Sequence, residues 1–250
     1  MSAIEISRSG RIQILRFNRP EKKNALTAAM YASLVDALMS GDSASEVAAH
    51  VILGSGGVFC AGNDIRDFLA TAEGNAGLGE DVLRFIRLLP LIAKPLIAGV
   101  DGLAIGIGTT LLLHCDLVYA SPRAQFSTPF LNLGLVPEAA SSLLMPARMG
   151  YARAFEMLVL GNTFSAGHAR EAGLVNAVVP SVELEAAVME AAQRLAAKPP
   201  EALTAARRLM RGDVAAILAR IDEEAEAFKD RLASPEARAA FAAFLSKSTS

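Results

Sequence analysis

The chain has 250 residues, of which 52% are hydrophobic and 20% charged, with a formal net charge of −2 and a sequence pI near 6.0. That composition supports a sizeable core and excludes a disordered chain, while the balanced charge leaves no electrostatic footprint for nucleic acid or an anionic membrane surface. Two cysteines, three tyrosines and no tryptophan exclude a disulfide framework and leave little for base stacking.

Residues 3–7 and 11–17 alternate around Ser9-Gly10 and predict a β-hairpin. After the polar loop Asn18-Arg-Pro-Glu-Lys-Lys-Asn24, Thr27 is placed to N-cap an amphipathic helix that runs to about Met39. Residues 50–54 predict a short buried strand leading into a glycine loop, Gly54-Ser-Gly-Gly-Val-Phe-Cys-Ala-Gly-Asn-Asp64. Asp64 stands at the mouth of a predicted helix, where an acid caps the end and favours its dipole. A Gly-rich connector over 73–79 precedes a helix over 78–89, and residues 94–98 predict the next strand.

That strand feeds a second glycine loop. Glycines stand at 99, 102, 106 and 108, followed by an apolar run to His114, which predicts a strand, a tight loop and a buried helix. The first N–H groups of a helix lack intrahelical partners and carry the positive end of its dipole, so such a loop can present donors to an anion. The plainer reading is close packing around a buried helix. Leu111 stands where a Gly-x-Gly-x-x-Gly would need its third glycine, and no Gly-Lys-Ser/Thr follows, so neither the dinucleotide nor the triphosphate fingerprint is met. The two units of strand, glycine loop and helix lie about forty-five residues apart, a hint of repeated ββα turns.

Residues 115–120 predict another strand, and the apolar stretch 124–136 leads to Pro137-Glu138, where a lone acid on its own reads as an exposed helix cap. Helices follow over 151–160, 165–172 and 184–197, with a strand at 175–179. Pro199-Pro200 marks a break, which divides the chain into a core, 1–197, and a helical C-terminal region, 198–250. The apolar face of that region is expected to pack on the core or on another subunit. The three histidines at 50, 114 and 168 are scattered, no Gly-x-Ser-x-Gly elbow exists for a hydrolytic triad, and no His/Cys spacing suggests a metal. The apolar region 88–120 is too interrupted to span a bilayer, and the N-terminus lacks a signal sequence, so a cytoplasmic protein is expected.

Phe59-Cys-Ala-Gly-Asn-Asp-Ile65, Gly102-Leu-Ala-Ile-Gly-Ile-Gly108, Cys115-Asp-Leu-Val-Tyr-Ala120 and Thr128-Pro-Phe-Leu-Asn-Leu-Gly-Leu-Val-Pro-Glu138 follow one another in an order that resembles the crotonase (enoyl-CoA hydratase/isomerase) superfamily. The N-terminal hairpin, Arg19-Pro-x-x-x-Asn-Ala-Leu26, the segment 161–175 and the helical tail extend the similarity over nearly the whole chain. The resemblance implies an α/β fold, a crotonase-like spiral of ββα turns with an all-helical C-terminal trimerisation region. It also implies an acyl-CoA substrate and association as a homotrimer or hexamer, with no cofactor beyond the coenzyme A of the substrate and no nucleic-acid or membrane partner.

Carried over residue by residue, the peptide N–H groups of the family's oxyanion hole fall on Asn63 and Ile107. The backbone around Ala25, Ala61, Asp64 and Ile65 falls near the adenine and pantetheine of coenzyme A, with Gly106 and Phe130 also among the substrate-binding positions and Lys22 or Lys23 available for phosphate. Hydratases of the superfamily carry two glutamates where this chain has Thr110 and Phe130. Glu138 instead matches the single acid of the Δ3,Δ2-enoyl-CoA isomerases, so the resemblance implies a double-bond shift with Glu138 as the proton shuttle. Phe130, Leu133 and Leu135 are expected to supply an apolar surround that raises its pKa. The alternatives are a hydratase or another enolate-forming acyl-CoA enzyme of the same fold, and a catalytically silent CoA-binding or assembly subunit.

Overall fold

The computed structural model describes residues 2–65 and 78–247. The hairpin pairs β1 (Ile4–Ser9) with β2 (Ile12–Phe17) antiparallel. To it are added, all parallel, β3 (Ala49–Gly54), β4 (Leu96–Val100), β6 (Leu117–Ala120) and β9 (Ala177–Val178), in the order β1-β2-β3-β4-β6-β9. A second sheet joins β5 (Leu103–Ile105), β7 (Gln125–Ser127) and β8 (Phe164–Ser165).

Burial on both faces explains why the parallel strands read as unbroken apolar runs. Along β3, Ala49, Val51 and Leu53 point to one side and pack with Ile97, Leu184 and Val188, whereas Ile52 joins Leu96, Ala98 and Val100 in the main core. The helix α1 (Ala28–Ser43) begins as expected, with Thr27 Oγ1 accepting from Met30 N–H at 3.4 Å, and buries Tyr31, Leu34 and Leu38. Then come α2 (Glu80–Leu88), the single turn α3 (Ile107–Thr110), α4 (Ser141–Met149), α5 (Tyr151–Leu158), α6 (Ala166–Glu171) and α7 (Leu184–Ala196). The helix expected after Asp64 and most of the connector over 73–79 lie outside the described residues.

Residues 107–114 depart from the expected regular helix. After one α-turn the chain tightens into a 3-10 turn over Leu111–His114, every residue of which is buried. Helix α4 had no strong sequence signal because Pro146 lies inside it and its entry is irregular. The C-terminal region forms α8 (Pro200–Arg211), α9 (Val214–Leu232) and α10 (Pro235–Lys247). Ile217, Ile221, Phe228, Leu232, Ala237 and Phe241 all belong to the main hydrophobic cluster, and burying each large apolar side chain contributes about 1.5–3 kcal/mol. Among the described residues no helix is long and apolar enough to cross a membrane.

Candidate active site

The two glycine loops meet. A parallel bridge joins Cys60 to Ala104, with Cys60 N–H donating to Leu103 O at 2.9 Å and Ile105 N–H to Cys60 O at 2.9 Å. Asn63 and Ile107 each stand three residues beyond their member of that bridge. The strands can lie this close because two glycines face the opposite backbone: a Cβ on Gly62 would sit 3.1 Å from Ile105 O, and one on Gly108 would sit 2.7 Å from Cys60 O.

Both flanking amides are left facing away from their neighbours. The Leu26–Asn63 bridge uses Gly62 O and Asp64 N–H, at 2.8 Å each, and alternation along the strand turns the Asn63 N–H to the other side. Ile107 is the first residue of α3, where the N–H has no intrahelical acceptor. Gly106 makes the turn into that helix at φ 55°, and a Cβ built on it meets open space. A cavity of about 230 Å³ opens beside Asn63, lined also by Leu26, Tyr31, Asp64 and Val82.

Glu138 is buried at 3% exposure, so the exposed-cap reading fails. Its Oε1 accepts from Thr110 Oγ1 at 2.5 Å, and Thr110 closes the single turn that Ile107 opens. Burial pushes the Glu138 pKa from the ordinary 4.5 up to about 8; the Thr110 hydroxyl opposes the rise and the Glu224 carboxyl adds to it. Phe130 and Leu135 are buried in the surrounding core, with Leu133 partly buried against it. After Glu138 come two alanines in the left-handed region, Ala139 at φ 59° and Ala140 at φ 57°, a conformation that costs an L residue about 1–2 kcal/mol.

The residues expected near coenzyme A gather on the rim. Asn24, wholly buried, donates from Nδ2 to Ser55 O at 3.0 Å and Val58 O at 2.7 Å, and so ties the loop after β2 to the first glycine loop. Arg19 reaches from the same loop to Asp64 Oδ2 at 2.7 Å and to Ala25 O at 3.1 Å. Lys23 O accepts from Ala61 N–H at 3.0 Å. Lys22 and Lys23 are exposed, whereas Ala25, Ala61, Asp64 and Ile65 are half-buried. Among the described residues no three His, Cys, Asp or Glu side chains group as a metal site.

Three further residues belong to this centre. Tyr31, fully buried on α1, donates its hydroxyl to Asn63 Oδ1, and burial raises its pKa well above 10.0, with the Glu138 and Cys60 charges adding to the effect. Thr110 is the hydrogen-bond donor to Glu138. Glu224 comes from α9 and accepts from Ala140 N–H at 2.6 Å, Ser142 N–H at 2.9 Å and Ser142 Oγ at 2.5 Å. Burial raises its pKa while those donors and the Arg220 charge oppose the rise. The signal for Glu224 was present in the sequence: it stands in the stripe Ile217, Ile221, Glu224, Phe228, where an apolar residue is expected.

Comparison with known proteins agrees with this fold. The rat protein "Enoyl-CoA delta isomerase 2" is 39% identical over 225 residues, which are 88% of this chain and 57% of that protein, so the chain spans little more than half of that relative's length. The Escherichia coli K12 protein "2,3-dehydroadipyl-CoA hydratase" is 34% identical over 251 residues, 100% of this chain and 98% of that protein. The solved structure of Pseudomonas aeruginosa OdaA superposes with a TM-score of 0.93 at 41% identity, covering 98% of this chain and 99% of that one. The family profile described as enoyl-CoA hydratase/isomerase matches residues 7–250, and the chain belongs to that family, the crotonase superfamily.

Proposed function

We propose that this chain is an isomerase that shifts the double bond of a 3-enoyl-CoA to give trans-2-enoyl-CoA, with Glu138 as the single proton shuttle. The observation that carries this reading is the pairing of Glu138 with a neutral hydroxyl, Thr110 Oγ1 at 2.5 Å. The positions at which the superfamily's hydratases hold two glutamates are here Thr110 and Phe130.

The Glu138 carboxylate removes a proton from C2 of the substrate, and the electron pair moves into the thioester to form a dienolate. The Asn63 and Ile107 N–H groups donate to the thioester oxygen as its negative charge grows. One preorganised donor of this kind is worth about 3 kcal/mol. Glu138, now protonated, returns the proton at C4 and leaves the double bond between C2 and C3. One proton leaves and one returns, so the reaction needs no redox cofactor. A pKa of about 8 suits a group that must both take and give a proton near neutral pH. Gly106 leaves open space beside the donors for the thioester, while Lys22 and Lys23 are free to meet coenzyme A phosphates from the rim.

The similarity to a hydratase over the full length of both chains favours a second reading, the addition of water to a 2-enoyl-CoA. Purified protein with 3-hexenoyl-CoA and, separately, crotonyl-CoA separates the two. The isomerase reading expects the absorbance of the conjugated thioester to rise with the first substrate and to stay constant with the second. Rapid loss of the crotonyl-CoA absorbance with no activity on 3-hexenoyl-CoA would reverse the ranking. Self-association into trimers is part of the same reading and is supported by the exposed Tyr151, Phe155, Leu160, Leu209 and Met210; light scattering checks it.

A further inference from the structure

We propose that Glu224, carried on helix α9 of the C-terminal region, is a positioning residue that holds the turn after Glu138 in the geometry the proton transfer needs. The inference rests on the reading of Glu138 as the proton carrier.

Glu138 reaches its place through a backbone that would not adopt that path unaided. Ala139 and Ala140, both wholly buried, follow it with φ of 59° and 57°, and such residues persist only where their surroundings over-determine them. The carbonyl of Ala139 accepts from His114 Nε2 at 2.8 Å. The amides of Ala140 and Ser142 and the Ser142 hydroxyl all converge on the one Glu224 carboxyl group. Arg220, one turn earlier on α9, donates from Nη1 to Ser142 Oγ at 3.1 Å and completes the clamp.

The Glu224 carboxyl bonds to the turn at Ala140 and Ser142. It acts on Glu138 through the Ala140 amide, and at 6% exposure Glu224 is largely shielded from solvent. The same carboxyl lies near enough to raise the Glu138 pKa. A side chain from the last fifth of the sequence thereby controls where the proton carrier sits.

The test is a cycle of variants, E224A and E224Q alone and each combined with A140G, assayed with 3-hexenoyl-CoA. Glutamine keeps the shape of the side chain but turns an NH2 group toward backbone donors, and glycine takes positive φ without steric cost. The expected result is a fall in kcat of about 30-fold in E224A, the scale of a small misplacement of a reacting group, with KM within twofold of wild type. Adding A140G should restore about fivefold or more of that loss, because the freed turn no longer resists the left-handed conformation. A purely structural role predicts a different pattern: lost folded protein, with unchanged kcat for the fraction that remains.

Exchange of the C2 protons of butanoyl-CoA in D2O, followed by NMR, gives a readout that needs proton abstraction but no double-bond shift. Wild-type exchange without isomerisation would sink the proposed function, while the variants would still report on Glu224. Unchanged kcat and exchange rate in folded E224A or E224Q would overturn the inference, and so would a loss that A140G fails to restore.

Discussion

The buried segment 107–114 has two ends that are treated in opposite ways. At its C-terminal end every available carbonyl is occupied: Leu112 O and Leu113 O accept from Arg148 at 3.4 and 3.0 Å, and His114 O accepts from Arg211 at 2.5 Å. The acid there, Asp116, is paired with Arg207 at 2.8 Å and Arg211 at 3.6 Å. At the N-terminal end the Ile107 amide is left unspent beside open space, and the acid there, Glu138, has a hydroxyl for a neighbour in place of a cation. The first end pairs its carbonyls and its acid with arginines and contributes stability, whereas the second leaves one donor unspent and gives its acid only a neutral partner, the condition for chemistry. Cavity size does not reveal this difference. About 530 Å³ opens beside Arg207 and Arg211, against about 230 Å³ beside Asn63, yet the acid at the larger space, Asp116, is already paired with both arginines.

Four substitutions break or sharpen the contrast. Glu138→Gln should lower kcat by about a thousandfold, the scale of a lost general acid–base, with substrate affinity little changed. It should also flatten the pH dependence of stability. The folded state keeps the Glu138 proton over a range where the unfolded chain releases it, so this contribution is present below about pH 4.5 and is lost as the pH rises toward about 8. Thermal unfolding across that range checks the second effect. At the opposite end, Arg207→Ala should cost about 3 kcal/mol of stability by leaving Asp116 short of a partner, measured by urea unfolding, with kcat per folded molecule unchanged.

Gly108→Ala should lower kcat/KM by about tenfold to a hundredfold. Its new Cβ would meet Cys60 O at 2.7 Å and Cys60 Cβ at 2.9 Å, which drives the two donor loops apart. The smallest effect is expected from Thr110→Val. The wild-type kcat/KM should rise with pH to a plateau above about 8 as Glu138 ionises. Removing the hydroxyl that favours the charged form moves that rise to higher pH and lowers activity at pH 7 about threefold to tenfold.

Much of this was legible in the sequence because it is written in local pattern. The hairpin, the apolar strands and the Thr27 cap follow from alternation and capping, and the glycine composition marks two loops whose backbone can come close to a neighbour. Their spacing of about forty-five residues is the offset of the Cys60–Ala104 bridge. The order of four motifs carried the family. What stayed hidden depends on contacts between distant segments. The apolar Phe130, Leu133 and Leu135 hint at the burial of Glu138, but its partners come from α3 on one side and, for the turn after it, from α9, more than eighty residues away, on the other. Tyr31 reads as one more core position of an amphipathic helix until its hydroxyl is seen to meet Asn63.

The account stands on one carboxyl group moving one proton, and the fate of that proton tests it most directly. With 3-hexenoyl-CoA carrying two deuterium atoms at C2 and the reaction run in ordinary water, mass spectrometry or NMR of the product at low conversion locates the label. A single shuttle at 3% exposure predicts deuterium at C4 in a substantial fraction of the trans-2-enoyl-CoA formed. Product with no deuterium at C4, its added hydrogen drawn wholly from solvent, would contradict the single-carboxyl shuttle.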